Sequence, residues 1–307
     1  MKKTKNSSKK RIERIKRILE ERGNKPLKMA REEILKENIE CKEVREALDY
    51  FMNEYWQEQA RPTILSVACE AVGGDPEATI PIAVPIILVS GATDIHDDII
   101  DQSKRKYGKP TVYGKYGKDL ALLVGDALLF KGLTLLSKFS KELFVPSEKM
   151  NNIVNVIKNT FFELGDAEAS ELRFRGRFNV TPEEYLRLIE RKAADVEACT
   201  RIGGILGGAT VKEVETLGDY GRILGTILLI ADDIKDLLHT DELKHRINNK
   251  NLPLPLIYAL QESRLKSQIL PILQKKGLTK KTVQKISDMV YEEEETSMSQ
   301  LIDRLIR

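Results

Sequence analysis

Two short segments constrain this chain more than anything else in it: DIHDDIID (94–101) and IADDIKD (230–236), each holding an Asp-Asp-x-x-Asp set inside an otherwise apolar, helically periodic stretch. At about 100° per residue, Asp97 and Asp101 fall one turn apart on one helix face with Asp98 beside them. Asp232, Asp233 and Asp236 repeat the arrangement. From average composition, one such spacing arises by chance in about one chain of this size in twenty-five, and two in about one in a thousand. Like charges this close raise each other's pKa, and aspartate is a poor mid-helix residue, so each trio costs stability unless cations occupy it. Ligands that offer only oxygen select hard divalent ions. Mg²⁺ in particular binds through one or two carboxylates and shares its other positions with water and substrate phosphates. Two such helices facing each other would hold a small cluster of Mg²⁺ ions able to capture a diphosphate. The ions would stabilise the charge that develops on a leaving oxygen as the carbon–oxygen bond of an allylic diphosphate breaks.

The rest of the chain is what would carry those helices. Its 307 residues suffice for a large core, and 41% hydrophobic with 32% charged residues are globular values. Helical periodicity is read at 9–22, 28–55, 61–73, 80–101, 119–138, 147–171, 181–209, 211–238, 253–275 and 279–306, with Thr181 and Pro182 placed as an N-cap and first helical residue. Strand signals are almost absent. The economical expectation is one all-α domain over 28–307, preceded by a basic helical extension over 1–27. In that extension Ile12, Ile15, Ile18 and Leu19 form a stripe suited to docking, and its crowded Lys and Arg leave open a peripheral membrane contact. A net charge of +3 gives no electrostatic case for nucleic acid, and no Gly-rich phosphate loop follows a strand. Cys41, Cys69 and Cys199 lie far apart, which excludes a cysteine-based zinc site and fits a cytoplasmic location.

Several motifs follow one another in a familiar order: ARP (60–62), EAVGGDPE (70–77), IHDDIID (95–101), GKPT (108–111), GDALL (125–129), YLRLIERKA (185–193), ADDIKD (231–236) and LPLIYAL (254–260). In these the chain resembles the trans-prenyl diphosphate synthase (polyprenyl synthetase) family of class I isoprenoid synthases, over about residues 28–307. The resemblance implies an isoprenoid-synthase helical bundle around a deep central cavity, usually a homodimer, with a hetero-oligomer left open. It implies a Mg²⁺-dependent condensation of an allylic diphosphate with isopentenyl diphosphate, with three ions around the bound diphosphate. Carried over by motif, Asp97, Asp98, Asp101, Asp232, Asp233 and Asp236 are the metal-binding residues, and Asp97, Asp98, Asp232 and Lys192 take the catalytic roles. Lys192 and Lys106 would contact the allylic diphosphate, Arg61 the isopentenyl diphosphate, and Lys250 or Lys244 would stand in for the lysine of the flap.

The departures from the family pattern cluster at the second substrate. Glu58 stands where the family has lysine, and Ser90 where it has histidine; Lys106-Tyr107 replaces an Arg-Arg pair, and Ala193 a threonine. Exchanging lysine for glutamate about 6 Å from a diphosphate turns roughly 3 kcal/mol of attraction per unit charge into similar repulsion at an effective dielectric near 20. Ala92 and Thr93, before the first trio, are small, so a product of about 20 carbons or more is expected if the length of the apolar tail is limited by side-chain bulk there. Two other readings share the scaffold: a terpene synthase that ionises an allylic diphosphate without isopentenyl diphosphate, and a non-catalytic subunit that pairs with an active homologue.

Overall fold

The computed structural model describes residues 2–291 apart from 107, 143–145, 250 and 276, with side chains from residue 9 onward except 140–142. The chain is almost wholly helical: α1 (Lys2–Leu35), α2 (Lys42–Asp49), α3 (Ala60–Ala71), α4 (Ile80–Ile100), α5 (Val112–Tyr116), α6 (Lys118–Glu142), α7 (Ser147–Glu171), α8 (Pro182–Lys192), α9 (Ala194–Gly207), α10 (Val211–Leu238), α11 (Thr240–Asn248), α12 (Leu254–Ala259) and α13 (Ser263–Leu273), followed by helical backbone over 280–291. Among the described residues the only strands are the two-residue pair β1 (Arg105–Lys106) and β2 (Lys109–Pro110). Two compact units are present, Met1–Thr160 with Val196–Gly221 and Phe161–Asp195 with Arg222–Arg307. Their boundaries fall inside α7, α9 and α10, which is why no linker composition marks them.

In the first unit α4 packs against α6, α1 and α3 around Leu27, Ile34, Phe51, Ile87, Leu88, Ile95 and Leu128. The α4 to α6 approach is close because α6 carries glycines seven residues apart. A Cβ on Gly125 would lie 2.5 Å from His96 Nε2, and one on Gly132 2.8 Å from Val89. His96 therefore packs over Gly125, with Asp126 3.3 Å from its ring nitrogen. Pro76–Ile100 and Lys118–Phe139 are each long and apolar enough to cross a bilayer, a property shared by buried core helices such as α4.

The sequence pattern reads separate helices over 9–22 and 28–55, with Gly23 and Pro26 between them. The structure instead runs α1 unbroken through both, across the 27/28 boundary. Tertiary contacts decide the matter. A Cβ on Gly23 would meet Gln59 Cβ at 2.7 Å, Gln59 donates to Asn24, and Arg22 pairs with Glu70 at 2.8 Å. Beyond this point Leu27, Ala30 and Ile34 are buried, while Ile12 and Ile15 remain exposed.

In the second unit α8 begins as its sequence specifies. The Thr181 hydroxyl accepts the Glu184 N–H at 3.1 Å, the Glu184 carboxylate accepts the Thr181 N–H at 2.9 Å, and Pro182 occupies the first turn. Tyr185, Leu188, Leu237, Leu243, Leu254, Leu256, Ile269 and Ile286 form its core. The patterns read over 181–209 and 253–275 each divide into two helices, at Ala193 (ψ 0°) and at the turn between Ala259 and Ser263.

Candidate active site

The first carboxylate trio ends α4. Asp94, Asp97, Asp98 and Asp101 recur at i, i+3, i+4 and i+7, so they share one helix face; Asp98 is fully buried, the others half-buried. The helix stops at Gln102, a non-glycine residue held at φ +54°, while Ser103 N–H donates to the Asp98 carbonyl at 2.8 Å. This is the left-handed C-terminal turn that satisfies the last carbonyls. The chain then enters the β1–β2 hairpin, pinned at its base. Thr111 Oγ1 donates to Ser103 O at 2.6 Å, Thr111 N–H donates to Lys104 O at 3.1 Å, and Gly114 lies so close to Lys104 O that no Cβ fits.

The hairpin turns Lys106 back onto the trio. Its Nζ lies 2.8 Å from Asp98 Oδ1, 3.7 Å from Asp97 Oδ2 and 3.9 Å from Asp94 Oδ1. Burial pushes the Asp98 carboxyl up to about 7 against the pull of Lys106, and burial likewise raises Asp94. Burial alone would lower the Lys106 ammonium, but the three aspartates hold it well above its ordinary value. Asp97 Oδ1 and both Asp98 oxygens are buried without a well-directed hydrogen bond among the described residues, Lys106 meeting Asp98 as a charge. Oxygen donors of this kind, short of partners, fit a hard divalent cation. Among the described residues no three His, Cys, Asp or Glu side chains are gathered closely enough to chelate an ion as they stand; the ammonium is where the charges converge.

Arg61, at the start of α3, is engaged by Glu58, whose carboxylate pairs with the guanidinium and accepts the Arg61 N–H at 2.8 Å. Ala92 is fully buried among the α4 core residues, and Thr93, half-buried, donates to the Ser90 carbonyl at 2.8 Å. Neither is set apart from ordinary core packing.

The second trio lies within the second unit and is built differently. Asp232 is exposed, Asp236 half-buried and Asp233 buried. Asp233 accepts Leu254 N–H at 2.7 Å, and Arg246 of α11 reaches Asp233 at 3.2 Å and Asp236 at 3.0 Å. Arg246 also donates to Tyr185 OH and to Asn251 O, each at 2.9 Å. Asn251 in turn donates to Glu171 at 2.8 Å, and Glu171 pairs with Lys192, which is 2.8 Å from Glu168 as well. Burial would raise the Glu171 carboxyl, but Lys192 and Arg246 beside it, with hydrogen bonds from Lys192 and Asn251, hold it down to about 2. Lys250 lies outside the described residues.

Sequence reading missed Arg246, Glu171, Glu168 and Tyr185, and it did not foresee the Glu58 to Arg61 pair. A signal existed for two of them. Arg246 adjoins Ile247 and follows Leu243 by three, and Glu171 follows buried Ala167 by four, so both are charges on faces that otherwise turn inward.

An all-α fold bearing two aspartate trios on apolar helices fits the class of protein that the sequence motifs resemble, and the comparisons carry this to a family. Residues 41–290 match the polyprenyl synthetase family model, and the chain belongs to that family. It is 34% identical to the geranylgeranyl diphosphate synthase of Methanosarcina mazei over 193 residues, 62% of this chain and 58% of that protein. It is 31% identical to the octaprenyl diphosphate synthase of Escherichia coli over 219 residues, 69% of this chain and 65% of that one. The matched region thus spans less than two thirds of these curated relatives. The crystal structure of geranylgeranyl pyrophosphate synthetase from Pyrococcus horikoshii superposes with a TM-score of 0.80 at 27% identity, covering 95% of this chain and 90% of that one.

Proposed function

We propose that this chain is a Mg²⁺-dependent prenyltransferase that condenses an allylic prenyl diphosphate with isopentenyl diphosphate, giving a product of about 20 carbons or more. The observation that carries the reading is the pair of buried carboxylate oxygens Asp97 Oδ1 and Asp98 Oδ2, short of hydrogen-bond partners among the described residues, in a member of the polyprenyl synthetase family. Asp97, Asp98 and Asp101, with Asp232, Asp233 and Asp236, would hold the metal. Bound Mg²⁺ supplies charge that stabilises the departing diphosphate. Lys106 and Lys192 would add ammonium groups for the phosphate oxygens, and Arg61 a guanidinium for the second diphosphate. A homodimer is supported by Leu122, Leu123, Phe130 and Leu133, exposed along one face of α6. The three free cysteines suit the cytoplasm.

One observation favours a second reading. Because Glu58 already neutralises Arg61, the isopentenyl diphosphate site is weakened, as a terpene synthase on this scaffold would tolerate. Incubation with 10-, 15- and 20-carbon allylic diphosphates and Mg²⁺, with and without isopentenyl diphosphate, separates the two. Elongation only in its presence is the expected result. Diphosphate release without it selects the synthase, and inactivity in both, relieved by a second chain, selects the subunit role.

A further inference from the structure

Lys106, the cation set against Asp94, Asp97 and Asp98 among the described residues, is mounted on a short hairpin. The base of that hairpin is fixed by Thr111, Ser103 and Gly114, so the Lys106 backbone is held and its ammonium is carried on a four-carbon stem. About a quarter of its side chain is exposed, which gives the ammonium a way out. One positive charge faces Asp94, Asp97 and Asp98, so whenever all three are ionised the pocket carries a net negative charge that a divalent ion would cancel better.

We propose that Lys106 is a tethered counter-cation, which holds Asp94, Asp97 and Asp98 together in the metal-free chain and is displaced from them when a divalent ion binds. This rests on the metal-site reading above. In the free chain the ammonium and the ion compete for the same oxygens, so intrinsic metal affinity is held down. Once an ion enters, Lys106 swings toward solvent, where a diphosphate offers it a new anion. Metal and diphosphate binding are thereby coupled in the same direction, because each removes the cost that Lys106 imposes on the other. Lys106 acts here as a positioning residue for the trio, and its contact with substrate follows from its displacement.

The test uses the full chain and Mn²⁺ alone, titrated by calorimetry and followed by the loss of the free-ion paramagnetic resonance signal. Lys106→Met is expected to bind Mn²⁺ about ten-fold more tightly than the unaltered protein. It is also expected to melt at a lower temperature in EDTA and to recover more on adding Mn²⁺. Lys106→Arg, which keeps the cation, is expected to show no such tightening. Equal or weaker Mn²⁺ binding by Lys106→Met, with measurable binding in the unaltered chain, overturns the proposal and leaves the metal site standing. No Mn²⁺ binding in either chain overturns both. Should Lys106→Met fail to fold, the Lys106 side-chain methylene resonances, assigned by their loss in Lys106→Arg, must move on adding Mg²⁺ without diphosphate. Unmoved resonances overturn the proposal.

Discussion

The two acidic trios are nearly the same in sequence and both are raised by burial, but the fold partners them differently. On α4, burial dominates: Asp98 is driven up to about 7, its oxygens lack well-directed hydrogen bonds, and one lysine on a short hairpin balances three carboxylates. On α10, burial likewise raises Asp232, Asp233 and Asp236, but here the partners are directed: Asp233 is enclosed by a backbone N–H and a guanidinium, and Arg246 passes the constraint on to Tyr185 and Asn251. Burial would lower the Arg246 guanidinium, but Tyr185, Asp233, Glu171 and Asp236 hold it well above its ordinary value. A spacing motif therefore fixes which groups share a helix face, and the neighbours in three dimensions fix whether those groups are available for chemistry or committed to structure.

The contrast breaks most directly at the level of turnover. Asp97→Asn removes an oxygen charge that the fold does not need and is expected to lower Mg²⁺-dependent turnover of an allylic diphosphate by about 10²–10³-fold, the usual scale for losing one electrostatic stabiliser. Its urea midpoint should stay near that of the unaltered protein. A variant that keeps full turnover removes Asp97 from the site. Arg246→Met tests the other side. It leaves Asp233 and Asp236 without the guanidinium that pairs them, and the expected loss of unfolding free energy in urea is about 3–5 kcal/mol. A loss within about 0.5 kcal/mol would mean that the second trio is as loosely held as the first.

How much of this was legible beforehand follows the same division. The all-α class, the Thr181 capping box, the two trios and their shared faces are local consequences of periodicity and could be read from one chain. The path of α1 through Gly23 and Pro26 could not, because Gln59 and Glu70, far along the sequence, hold it. The Glu58 substitution was visible as a departure, yet its effect depends on a contact three residues away that only the turn into α3 creates. Lys106 was read as a diphosphate ligand, and its place among Asp94, Asp97 and Asp98 needed the left-handed turn at Gln102 that folds the hairpin back. Arg246 showed as a charge on an inward face, but its partners Asp233, Asp236 and Tyr185 lie 13, 10 and 61 residues away, and periodicity does not name them.

The smallest of these effects is a pH dependence, and it sharpens the comparison because it reads the second network alone. The folded Glu171 carboxyl titrates near about 2 and the unfolded one near its ordinary value of 4.5. A depressed folded value contributes stability that is fully present above the unfolded value and is lost as pH falls toward the folded one. The window is thus between about pH 4.5 and 2, and the shift is worth at most about 3 kcal/mol there. Urea unfolding at pH 5 and pH 3 should show a fall in the unaltered protein that is reduced in Glu171→Gln, which has no proton to gain. Glu171→Gln should also be less stable at pH 5, since Lys192 loses one of its two carboxylates. If both proteins lose stability equally on acidification, the acid sensitivity resides in other carboxylates, and the Glu171, Lys192 and Asn251 cluster is a scaffold held by packing rather than by charge.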